Sequence, residues 1–176
     1  MSAGFKSGEI LLNRGVELPG YFRAQKRWDI VVVRNGRLCA AVELKSQVGS
    51  FGNNFNNRSE EAIGNSTDFW TAFREGALGR DTPWLGYFFL LESAPKSTRP
   101  VGLKSSKFPA FPIFEGTSYA RRYEILCERL VLERKYTKTA LLLTPRGKSG
   151  AFAETNANLS FRGFLISLHA HLLGCR

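Results

Sequence analysis

Residues 28–45, WDIVVVRNGRLCAAVELK, constrain this chain more than any other stretch. Ile30, Val31, Val32 and Val33 form a β-branched run of the kind found in buried central strands. Asn35-Gly36 follows at once and is a strong hairpin signal. Residues 37–45 read as the partner strand. The approach to Glu43 is apolar on both faces, so these charges do not lie on a surface stripe. Asp29 starts one strand, and Glu43 and Lys45 end the other. An uncompensated charge at that depth would be costly.

The remaining segments alternate. Residues 46–57, SQVGSFGNNFNN, are rich in Gly and Asn and lack periodicity, which predicts a loop. Asn57, with Glu60 three residues on, predicts the cap of a helix over 58–75. Its apolar stripe holds Ala62, Ile63, Trp70 and Phe73, and Gly76 is placed to end it. Residues 84–92, WLGYFFLLE, read as another buried strand. Residues 93–116, rich in Pro, Ser and Lys, read as a long surface loop, of a length that is usually functional or mobile. A second helix is predicted over 118–135, with Tyr119, Tyr123, Leu126 and Leu130 inward. A strand over 139–144 is stopped by Pro145. A C-terminal helix over 161–173 would bury Phe161, Leu165, Leu168 and Leu172. This order predicts an α/β fold with a mixed central β-sheet flanked by helices. The length of 176 residues suits a single domain, and no repeat or linker divides it.

Charge supplies the first functional hint. There are 25 Lys and Arg against 15 Asp and Glu, a net charge of +10. A basic domain often meets a polyanion, most commonly nucleic acid; the alternative is a basic surface that serves only solubility. A hydrophobic fraction of 43% and a charged fraction of 23% exclude intrinsic disorder, collagen and disulfide scaffolds. Cys39, Cys127 and Cys175 form no CxxC pair, which argues against a zinc or redox motif, and Cys39 and Cys127 read as small core residues. That usage fits a reducing, cytoplasmic setting. The first fifteen residues carry no signal-peptide core, and the longest apolar runs are too short to cross a bilayer. His169 and His171 do not share a helix face. Neither a GxSxG nor a P-loop occurs, so a serine hydrolase and a nucleotide-driven motor are disfavoured.

The chemistry lies on the hairpin. Residues two apart on a strand share a face, so Glu43 and Lys45 project together. Asp29 and Glu43 make a hard oxygen site suited to Mg²⁺, with the Leu44 backbone carbonyl as a further ligand. A lysine beside the metal can orient or deprotonate water, and the set suits phosphodiester hydrolysis. Register is the test. A tidy Asn35-Gly36 turn would place Asp29 opposite Val42 and send Glu43 to the other face. We therefore expect a three-residue turn, Arg34-Asn35-Gly36, with Gly36 left-handed in a bulge and Asp29 opposite Ala41. Taken alone, a D…ExK pattern on a hairpin is weak, since Glu and Lys two apart are commonly solvated charges on an edge strand.

Two longer strings carry a resemblance. The hairpin resembles the PD-(D/E)xK nuclease core. YFRAQKRWDIVVVRNGRLCAAVELKSQVG, followed by SFGNNFNNRSEEAIGNSTDFWTAFREG, resembles the XhoI family of type II restriction endonucleases. The likeness is dense from Leu18 to Gly79 and looser through FPAFPIFEGTSYARRYEILCERLV and the strand before Pro145. Asp29 falls on the family's catalytic Asp, and Glu43 and Lys45 on its ExK pair, although Trp28 stands where the motif has Pro. The resemblance implies a restriction-endonuclease-like fold and a Mg²⁺-dependent homodimer cutting double-stranded DNA at a CTCGAG-like palindrome. It implies a partner DNA methyltransferase in a restriction-modification system. It also implies a longer region ahead of the hairpin, often with a helix that adds an acidic residue. Glu9 and Glu17 are the candidates to replace that residue.

DNA contacts are expected from Lys26 and Arg27, with Arg23, just ahead of the catalytic strand. Others are expected from Gln47, Asn53, Asn54, Asn56 and Arg58 in the predicted loop, since Asn and Gln can read adenine and Arg guanine. The alternative is that these asparagines only suit turns and Asn57 only caps. Lys96, Arg99, Lys104 and Lys107 in the long loop suit phosphates. Two other readings stay open: a catalytically inactive or truncated DNA-binding relative, and a nuclease of different specificity.

Overall fold

A computed structural model of the chain describes residues 4–104, 106–147 and 150–175. The strands are β1 (Ile10–Leu12), β2 (Glu17–Pro19), β3 (Gln25–Arg27), β4 (Ile30–Arg34), β5 (Arg37–Gln47), β6 (Trp84–Glu92), β7 (Lys138–Thr144) and β8 (Ala153–Glu154). The helices are α1 (Phe51–Arg74), α2 (Pro95–Thr98), α3 (Tyr119–Leu132) and α4 (Phe161–Gly174). Six strands form one mixed sheet in the order β1-β4-β5-β6-β7-β8, and β2 pairs with β3 in a separate antiparallel hairpin. β5, β6 and β7 run parallel, while the outer pairs are antiparallel. Parallel neighbours need a crossover, and α1 and α3 supply the two. The expected α/β architecture is therefore present.

The helices explain why the central strands read as unbroken apolar runs. Phe69 and Ala72 of α1, with Tyr123, Leu126 and Leu130 of α3, pack on Val31, Ala41, Leu85, Tyr87, Phe89 and Leu141. On the other face Phe164 and Leu172 of α4 meet Val32, Cys39, Ala40, Val42, Trp84 and Ala140. Strands covered on both faces need no polar alternation. Gly86 is required there, because a Cβ would collide with the Trp84 ring and lie 2.8 Å from the Phe164 ring.

Three expectations change, and three short strands appear that were not expected. The hairpin turn has two residues, Asn35 (φ 52°) and Gly36 (φ 73°), and Arg34 pairs with Arg37. The register shift comes later: Val33 faces Leu38 but Val32 faces Ala40, leaving Cys39 as the extra residue. Cys39 and Ala40 then both face α4. Val31, not Asp29, stands opposite Ala41. The bulge thus does the work expected of a longer turn.

The second change is larger. Residues 51–57 are not a loop but the first two turns of α1, and Asn57 is not its cap. Ser50 takes the N-cap position in a left-handed conformation (φ 44°). Gly and Asn are poor helix formers, and tertiary packing overrides them here. Phe51 stacks on Tyr119, and Phe55, four residues on, meets Tyr123 edge to face, with centroids 6.3 and 5.1 Å apart. Gly52 lets α1 approach α3, since a Cβ would lie 2.6 Å from the Tyr119 hydroxyl. Third, α4 turns Phe164, Leu168 and Leu172 inward, while Phe161 and Leu165 are exposed. The short strands β1, β2 and β3 carry no sequence signal strong enough to anticipate. Among its described residues the long segment after β6 is largely irregular, with α2 and the 3₁₀ turn Pro112–Phe114 as its regular structure.

Candidate active site

β5 outruns β4, and the site lies where they part. The last paired residues are Ile30 and Val42, and the Asp29 N–H donates to the Val42 carbonyl at 3.2 Å. From Glu43 onward β5 pairs with β6 on one side, and among the described residues no strand pairs with its other edge. In an extended strand a residue's N–H and C=O leave on the same side. The Leu44 N–H donates to Asp29 Oδ2 at 2.7 Å across that open edge. The Leu44 carbonyl therefore faces the same edge, beside the Asp29 carboxylate. Side chains alternate separately. Glu43 and Lys45 share the face of Ala41, and Asp29 shares that of Val31, the face covered by α1 and α3.

Glu43 is 1% exposed, yet its charge is fully met. Lys45 Nζ lies 2.7 Å from Oε1 and Lys26 Nζ 2.7 Å from Oε2. Asn65 of α1 donates from Nδ2 to Oε1 at 3.4 Å. A buried carboxylate persists in charged form only with such partners. Lys26 is itself held in place: it donates to the Arg27 carbonyl at 2.9 Å and sits 4.5 Å above the Trp28 ring. Asp29 stays exposed at the mouth.

One turn further along α1, Asp68 fixes the tip of the β2–β3 hairpin. It accepts from the Tyr21 and Phe22 N–H groups at 2.8 Å each and from Arg23 Nε at 2.7 Å. Burial opposes its ionisation, but the bonds from Phe22, Arg23 and Tyr21 outweigh it and hold the carboxyl below the usual Asp range. Gly20 is needed in the tip, because a Cβ would lie 2.7 Å from Asp68 Oδ2. Arg23 Nη2 also donates to Asn65 Oδ1 at 3.0 Å. An unbroken polar run thus joins the hairpin tip to Glu43. Asn65 and Asp68 escaped the sequence reading. The available signal was two amide or acid side chains three apart on the stripe of Ala62, Phe69 and Ala72.

The expected DNA-contact residues are scattered by the fold. Lys26 points into Glu43 rather than outward. Arg27 is exposed and donates from Nη2 to the Asn13 carbonyl at 2.6 Å. Gln47 is buried, its Nε2 donating to the Gly49 carbonyl at 2.6 Å. Asn53 and Asn56 are exposed on α1, Asn54 donates to the Ser50 carbonyl at 3.3 Å, and Arg58 pairs with Glu61 at 2.6 Å. Lys96 and Arg99 are exposed and line a cleft of about 430 Å³ with Ser50, Gly52 and Asn53. Lys104 and Lys107 are exposed on the long segment. Neither substitute acid reaches the site. Glu9 pairs with Arg34 at the far end of β4. Glu17 stands opposite Arg27, on the hairpin face turned away from Lys26 and Glu43.

The donor set suits a hard divalent cation: two carboxylates from neighbouring segments on one sheet face and a backbone carbonyl directed at the edge between them. The profile of the family described as "Restriction endonuclease XhoI" matches residues 1–154. The chain belongs to the XhoI restriction endonuclease family. Among curated proteins, the type II restriction enzyme BstVI of Geobacillus stearothermophilus is 49% identical over 96% of this chain and 80% of its own length. The type II restriction enzyme XhoI of Xanthomonas vasicola is 52% identical over 73% of this chain and 52% of its own. AbrI of Azospirillum brasilense is 54% identical over 54% of this chain and 45% of its own. The chain thus spans about half the length of the latter two. No solved structure matches it. Membership in the XhoI family carries the enzyme class, an endonuclease that hydrolyses phosphodiester bonds, and with it the binding of double-stranded DNA. No described helix is long and apolar enough to cross a membrane.

Proposed function

We propose that this chain is a site-specific endodeoxyribonuclease of the XhoI family that cuts double-stranded DNA at a CTCGAG-like palindrome with Mg²⁺. The observation that carries this reading is the grouping of Asp29, Glu43, Lys45 and the Leu44 carbonyl at the open edge of β5. Asp29, Glu43 and the Leu44 carbonyl would hold the ion. When bound, Mg²⁺ offsets charge at the phosphate and acidifies water. Asp29, fixed by the Leu44 N–H, keeps one carboxylate at the mouth, where a phosphate can approach. Glu43 keeps the second at depth. Lys45 Nζ, an ammonium held on Glu43 Oε1, would orient the attacking water and steady the hydroxide left when its proton passes to solvent. A palindrome read by one protomer per half-site calls for a two-fold homodimer, each copy cutting one strand. A DNA methyltransferase of matching specificity would protect the host in a restriction-modification system.

Digestion of a plasmid of known sequence with purified protein and Mg²⁺ tests the reading. Discrete fragments ending in CTCGAG half-sites, and none from Lys45→Ala, are expected. Smears would sink the specificity. Sequence-specific binding without cutting by the native protein would make the chain an inactive relative.

A further inference from the structure

We infer that Tyr21 and Phe22, at the tip of the β2–β3 hairpin, form an aromatic wedge that stacks on the bases of duplex DNA beside the bond to be cut. The inference rests on the proposed nuclease reading and names how the substrate is engaged. The two rings are 54% and 71% exposed and pack edge to face, 5.0 Å apart. Exposed aromatic surface is unfavourable in water, and burial against a partner relieves that cost. Here the tip is built rigid. Asp68 accepts both of their N–H groups, and Gly20 permits that close approach. A buried carboxylate that fixes the backbone of two half-exposed aromatic residues is a device for keeping them at the surface. It lowers the entropy lost when they engage a partner.

The surroundings favour nucleic acid as that partner. Arg23 is partly exposed at the same tip as the rings, and Arg27 is exposed at the base of the hairpin. A cation beside exposed aromatics, with another along the same hairpin, matches a polyanion with stackable bases. The same hairpin carries Lys26 on Glu43, and the tip reaches Glu43 through Asp68, Arg23 and Asn65. A duplex phosphate at Asp29 and Glu43 would therefore bring neighbouring base pairs to these rings.

The test uses a short duplex carrying CTCGAG, with 2-aminopurine placed in turn within and beside the site, and Ca²⁺ in place of Mg²⁺ to prevent cutting. Native protein is expected to raise 2-aminopurine fluorescence at one step by unstacking it. Tyr21→Ala/Phe22→Ala should abolish the rise and lower cleavage by about tenfold per ring. The salt dependence of binding should stay the same, because the cations remain. Phe22→Trp should restore the signal. The alanine changes leave the backbone bonds to Asp68 in place, and an unaltered circular dichroism spectrum checks folding. An unchanged fluorescence rise and cleavage rate in the double variant would overturn the wedge. So would a change in sedimentation showing that the pair joins two copies of the chain. Failure of native protein to bind any duplex would instead bring down the nuclease reading, and the wedge with it.

Discussion

Glu43 is the residue on which the site turns. Both of its oxygens already carry an ammonium at 2.7 Å. A divalent cation must compete with them, which gives Lys26 a clear expected effect. Replacing Lys26 by Met should tighten Ca²⁺ binding to the DNA-free protein by about tenfold, roughly 1.4 kcal/mol, measured by titration calorimetry. Replacing Glu43 by Ala should instead leave two facing lysines without their acid. We expect a loss of stability of about 3 kcal/mol in denaturant unfolding, together with loss of cleavage. The ExK pair was legible because a strand's period of two is local. Lys26 and Asn65 were not, since they arrive from a hairpin and a helix that the sequence separates from Glu43 by 17 and 22 positions.

At the level of elements, a bulge and a clamped hairpin decide the geometry. Because Cys39, not the turn, sets the register, Gly36→Ala should cost about 1 kcal/mol through its positive φ and leave the cleavage rate unchanged. A fall in cleavage matching that of Glu43→Ala would show that the turn controls the register after all. The β2–β3 hairpin is tied to α1 through Asp68, whose folded pKa lies below its unfolded value. The sign follows. Its contribution is fully present above the unfolded Asp pKa, near 3.9. It is lost as pH falls through the depressed folded value. Native protein should therefore exceed Asp68→Asn in unfolding free energy at neutral pH, and the gap should shrink on acidification below about pH 4. A constant gap would mean that Asp68 acts without its charge. The start of α1 shows why element boundaries escaped the sequence. FGNNFNN is locally a loop composition, and it is the distant rings of Tyr119 and Tyr123 that make it helix.

At the scale of the whole molecule, the excess of ten positive charges should appear as salt dependence of DNA binding. Each phosphate contact adds about 0.9 to the slope of log K against log salt. Replacing Lys96 and Arg99 by Ala should lower that slope by up to about 2 if both touch phosphate. It should leave the choice of cleavage site unchanged, because phosphate contacts carry no sequence information. A plasmid digest and a binding series at several salt concentrations check both halves. The α/β class, the central hairpin and the strand face shared by Glu43 and Lys45 were legible in the amino-acid order alone. Those follow from side-chain period, turn chemistry and apolar runs, all of which act over a few neighbouring residues. The family likeness came from equally local strings. Long-range packing set the rest: a bulge brings Asp29 level with Glu43, Lys26 turns inward, and α1 clamps an aromatic hairpin tip beside the site. Those outcomes depend on packing and charge pairing between segments far apart in the chain, where no local pattern records which partner prevails.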